Sequence, residues 1–144
     1  MKVSGISIAI LICAVLLVSG VSAQTIDKTS GYNVDLVKSS QLSAVVVPMT
    51  AGSMSQGQTN WYTYTVPSGT PSLTVDLNWG NPANSLALTV IAPDGTIGPY
   101  YDTSGTGRIT LLIKKTGTLA PGTWNIKVYG DHVTGLQRYN LQTY

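Results

Sequence analysis

From residue 61 onward, apolar side chains fall on every second position in run after run, and a period of two is the signature of strands with one buried face. Tyr62, Tyr64 and Val66 alternate with Trp61, Thr63 and Thr65, and Leu73, Val75, Leu77 and Trp79 alternate with Thr74, Asp76 and Asn78. Leu86, Leu88 and Val90 repeat the pattern, as do Ile109, Leu111 and Ile113, then Trp124, Ile126 and Val128. Tyr139 and Leu141 mark a last short strand. Breakers separate the runs: Pro67-Ser68-Gly69, Gly80-Asn81-Pro82, Pro93-Asp94-Gly95, Ser104-Gly105-Thr106-Gly107 and Pro121-Gly122. Earlier strands are expected at Leu42–Val47 and near Tyr32–Val37, and the Thr/Ser/Gln/Gly-rich stretch from Thr50 to Thr59 reads as a loop. Seven or eight such strands describe an all-β fold, an antiparallel two-sheet sandwich of jelly-roll-like form. No helical periodicity of useful length follows residue 23, and the chain has no Glu, the residue that helical surfaces use most freely.

The first 23 residues follow a different pattern. Lys2 precedes a charge-free run to Ala23, densest over the 13 residues Ile6–Val18, and Ser19-Gly20-Val21-Ser22-Ala23 closes it with small residues. This is the layout of a secretory signal peptide, a hydrophobic helix cleaved between Ala23 and Gln24. Cys13, the single cysteine, would leave with it. Two alternatives keep the segment: an uncleaved anchor, since 21 uncharged residues can span a bilayer, or a pilin-like leader cut after Gly5. The expected organisation is therefore a signal peptide at 1–23, an N-terminal strand segment and loop at 24–57, and a sandwich at 58–144. Contact with a membrane is expected only if the apolar segment is retained.

Charge excludes further classes. The basic residues beyond the leader (Lys28, Lys38, Arg108, Lys114, Lys115, Lys127 and Arg138) are scattered, so no nucleic-acid or polybasic membrane patch is expected. Lys114-Lys115 reads as a charged strand end that blocks edge pairing. His132 is the only histidine, placed beside Asp131 in Gly130–Gly135, a stretch that reads as a hairpin turn without triad or oxyanion features. Asp76 is expected to face outward on a strand. Neither nucleophilic nor paired-carboxylate chemistry is supported, and no enzymatic activity or cofactor is expected. Calcium is the one metal alternative: Asp94, Asp102 and Asp131 are loop carboxylates that could serve if their loops met, although Pro93-Asp94-Gly95 is first explained by turn geometry. The remaining signal is aromatic. Trp61 and Tyr129 fall on the phase opposite to the apolar face, and Tyr100-Tyr101 sit beside a Gly-Pro turn, so these four are the candidate ligand-binding residues.

From Trp61 the sequence resembles the bacterial pre-peptidase C-terminal domain family. The resemblance is carried by Trp61–Gly69, Ser72–Leu77, Leu86–Gly95, Pro121–Gly130 and Tyr139–Leu141, with the Pro-Gly-Thr-Trp-Asn-Ile-Lys-Val-Tyr-Gly run at 121–130 its most distinctive part. It implies a jelly-roll sandwich of the kind appended to secreted proteases, with relatives that include collagen-binding and some calcium-holding domains. This chain has Ser85-Leu86-Ala87-Leu88 where the family often alternates acids with leucine, which weakens the calcium carry-over. The function expected is a secreted, non-catalytic module for binding or assembly at the cell exterior, with an extracellular protein or polysaccharide as partner. A structural subunit of a filament or surface layer, anchored at the cell surface by a retained apolar helix, is the alternative. A carbohydrate-binding module is the third.

Overall fold

The computed structural model describes residues 25–27, 31–37 and 49–144. The apolar segment at 1–23, Cys13 and the strand expected at Leu42–Val47 lie outside the described residues. Ten strands are described: β1 (Thr25–Asp27), β2 (Tyr32–Leu36), β3 (Met49–Met54), β4 (Thr59–Val66), β5 (Ser72–Asn78), β6 (Ser85–Ala92), β7 (Gly95–Tyr101), β8 (Arg108–Lys115), β9 (Gly122–His132) and β10 (Gln137–Thr143). They form two antiparallel sheets, one of six strands in the order β1-β2-β8-β5-β10-β3 and one of four in the order β4-β9-β6-β7. Every period-2 run in the sequence becomes a strand, because alternation gives each sheet one apolar face and the two faces bury each other. Leu73, Val75 and Leu77 from β5, Leu86, Leu88 and Val90 from β6, and Ile109, Leu111 and Ile113 from β8 are all buried. Trp124 and Tyr32 meet edge-to-face at the centre, with ring centroids 5.5 Å apart.

The region read as a loop over Thr50–Thr59 is corrected by the structure. Met49–Met54 is a strand, paired along its length with β10, and only residues 55–58 turn the chain into β4. Its sequence shows no apolar alternation because it is an edge strand with exposed residues on both faces. Its one glycine is sterically required: a Cβ on Gly52 would lie 2.5 Å from the Tyr139 ring and 2.6 Å from the Tyr62 hydroxyl.

A second correction concerns Asp76. It does face away from the sandwich interior, yet it is only 3% exposed. The Arg108 guanidinium donates to both of its carboxylate oxygens at 2.7 Å, and the Thr110 hydroxyl donates to one at 2.8 Å. Cross-strand pairing sets Thr110 directly opposite Asp76, so the register of β5 on β8 builds this cluster.

The motif at 121–130 is explained by its two ends. The Trp124 indole donates to the Ala120 carbonyl at 2.8 Å and buries its ring completely. Gly130 accepts the 55–58 turn against its backbone, where a Cβ would lie 2.5 Å from the Ser55 carbonyl oxygen.

Candidate binding face

The four-stranded sheet buries one face and presents the other to solvent, and register decides which side chains gather there. Trp61 on β4 stands directly opposite Lys127 on β9. Tyr129, two residues further along β9, therefore shares the face with both. Tyr129 in turn pairs with Ala87 on β6, and Ala87 pairs with Tyr101 on β7. One row thus crosses three strands as Tyr129, Ala87 and Tyr101, with the two tyrosines about 10 Å apart at two strand spacings. Ala87 is 3% exposed between them, while Tyr101 is 43% and Trp61 57% exposed.

Lys127 sits between Trp61 and Tyr129. Its ammonium lies 5.9 Å from the centroid of the Trp61 ring and 5.8 Å from that of Tyr129, within cation–π range of both. Tyr101 ends its strand at the rim of this face and also lines a cavity of about 430 Å³ with Leu36, Arg108 and Ile109.

Of the four aromatic candidates, Trp61, Tyr129 and Tyr101 share the outer face of this sheet, with Tyr129 half-buried. Tyr100 does not. It pairs with Leu88 and packs against the core, because neighbours on a strand point to opposite faces. Sequence reasoning placed Tyr100 and Tyr101 together only because residues 95–101 were not recognised as a strand. It also passed over Lys127 and Ala87. Their phase relative to Tyr129 was visible, but which strands flank them was not.

The three aspartates occupy separate places. Asp94 lies in the β6–β7 turn, accepting from the Tyr32 hydroxyl at 2.5 Å and from Lys115. Lys115 chiefly, then Tyr32, holds its carboxyl below the usual range. Asp102 lies beyond the other end of β7, accepting from the Ser104 hydroxyl and amide and from the Gly107 amide at 2.6–2.9 Å. Burial pushes its pKa up, but these hydrogen bonds outweigh it and the net direction is down. Asp131 sits on β9 beside His132, whose side chain is 87% exposed. Among the described residues no three His, Cys, Asp or Glu side chains group around a point where a metal could sit. His132 is the last residue of β9, and its Nδ1 lies 3.7 Å from the Asp131 carboxylate.

These features define a β-sandwich module with an aromatic outer face. The chain belongs to the bacterial pre-peptidase C-terminal domain family, whose profile matches residues 58–130. This family's domain is a non-catalytic module. Among solved structures, the pre-peptidase C-terminal domain of collagenase from Bacillus anthracis superposes with a TM-score of 0.50 at 17% identity, covering 69% of this chain and 90% of that one. That likeness is one of fold. An uncharacterized protein of Archaeoglobus fulgidus is 54% identical over 41 residues, which are 28% of this chain and 56% of that protein. The match thus spans little more than half of the relative's length.

Proposed function

We propose that this chain is a secreted, non-catalytic binding module of the cell exterior, and that its ligand rests on the outer face of the four-stranded sheet. The observation that carries the reading is the convergence of Trp61, Tyr129 and Tyr101 from three different strands onto one exposed surface. Single exposed aromatics are ordinary, whereas a group of them built by register is a stacking surface. Sugar rings have apolar faces that stack on such side chains while their hydroxyls stay in water, so an extracellular polysaccharide fits better than a partner needing a deep apolar pocket. Secretion is supported by the signal-peptide-like layout of residues 1–23 and by family membership.

Tryptophan fluorescence tests the site directly. Trp79 and Trp124 are buried, so a spectral change on adding polysaccharide would come chiefly from Trp61. The expected result is a shift in the unaltered chain and a loss of at least about tenfold in affinity for Trp61→Ala, the size of a central interface residue. Absence of a shift across neutral and charged polysaccharides would overturn the reading. For secretion, intact mass of the protein from its native source should show a start at Gln24, and a start at Ile6 or Met1 would contradict it.

A further inference from the structure

We infer that the aromatic face is selective for anionic polysaccharide, with Lys127 supplying the charge recognition. This rests on the reading of that face as the binding surface, and adds to it the class of ligand. Lys127 is the one charged side chain within the aromatic group, and Trp61 and Tyr129 flank it rather than any acid. Among the described residues no carboxylate lies within ion-pair distance of its ammonium. The side chains around it are neutral: Trp61 and Thr89 stand directly opposite on the two neighbouring strands. Asp102 lies just past the end of β7, held by Ser104 and Gly107, and Asp131 lies near the end of β9 beside His132.

A cation held between two aromatic rings with no counter-ion leaves its charge to a ligand. The rings fix the ammonium near the position where the edge of a stacked sugar would come, and a carboxylate or sulfate on that sugar would meet it there. Neutral polysaccharides would gain the stacking alone. The rim position of Tyr101, two strands from Tyr129, extends the surface along one direction, as a chain-like ligand requires.

Matched probes separate charge from shape. The full chain is titrated, by fluorescence and calorimetry, with polygalacturonate and its fully methyl-esterified form, and with dextran sulfate and dextran. The expected result is a preference of about two- to fivefold for the anionic member of a pair, the range of a single solvent-accessible ion pair, falling as salt is raised. Lys127→Gln should abolish the preference, and Lys127→Arg should restore it. Lys114→Gln, on the other sheet, should change nothing. Equal binding of charged and neutral members, or a preference untouched by Lys127→Gln, overturns the charge selectivity while leaving the binding face intact. An equal loss in Lys114→Gln shows diffuse attraction by a basic protein and also overturns it. No binding to any of the four probes, with Trp61→Ala indistinguishable from the unaltered chain, overturns the face itself. Thermal midpoints of all variants confirm that they are folded.

Discussion

Asp76 shows how far a single side chain can depart from what its phase implies. Alternation correctly puts it on the face away from the core, and the ordinary consequence would be a solvated carboxylate. Here Arg108 grips it with two hydrogen bonds and Thr110 adds a third, so it is nearly sealed from water. Removing one member of such a pair costs more than the pair contributes, because the survivor keeps its charge without its partner. Asp76→Ala should therefore destabilise the fold by about 2–4 kcal/mol, below the full buried-pair range because the Arg108 side chain is 26% exposed. The double variant Asp76→Ala/Arg108→Ala should cost less than the sum of the two single changes. Urea midpoints measure all three. Additive losses, or a single-variant cost below about 0.5 kcal/mol, would show an ordinary surface pair instead.

At the scale of elements, legibility followed unbroken alternation. β5, β8 and β9 could be read from it because each has neighbours on both edges and one face against the core, and the edge strand β4 keeps it as well. The edge strands β3 and β7 do not. β3 has Gly52 where a ring approaches and exposed residues on both faces, so its strand character comes entirely from pairing with β10. β7 contains Gly98-Pro99, and its pairing with β6 shifts register between Leu88 and Val90. Those breaks look like a turn in sequence, and they hid the fact that Tyr100 and Tyr101 must diverge. The aromatic face was half legible for the same reason. Phase alone sets Trp61 and Tyr129 outward, but bringing them to Lys127, Ala87 and Tyr101 takes the strand order β4-β9-β6-β7, which local sequence does not encode. Cross-strand neighbours are set by long-range packing, and that information is spread over the whole chain.

At the scale of the molecule, residues before the matched family segment are part of the sandwich rather than an appendage. Tyr32 and Val34 of β2 are buried in the common core, and the Tyr32 ring packs on Trp124 from the opposite sheet. The Tyr32 hydroxyl donates to Asp94, which also takes Lys115, so one carboxylate in the β6–β7 turn clasps β2 and β8 across the sandwich. Burial first, then the bond to Asp94, raises the Tyr32 pKa far above the ordinary phenol value. Burial, then the Tyr62 hydroxyl, does the same for Tyr139 on β10. The sign follows from linkage. Both phenols are neutral in the fold, so their contribution is complete below the unfolded phenol value of about 10 and is lost as pH rises from there toward the folded values. Asp94 and Asp102 act in the other direction: their folded pKa values are lowered, so their contribution is complete above about pH 4 and is lost as pH falls through the folded values. Stability should therefore be flat across neutral pH and fall on both sides, with the alkaline fall the steeper because the phenols are more deeply buried than the carboxylates. Tyr32→Phe isolates the Tyr32 contribution. That variant should lose stability at neutral pH but show a shallower alkaline fall than the unaltered chain. Urea midpoints against pH, with tyrosinate absorbance recorded on the folded protein, make the measurement. If all eight tyrosines ionise together near pH 10 while the chain is still folded, the clasp does not protect Tyr32 and the N-terminal strand is not closing the core as described.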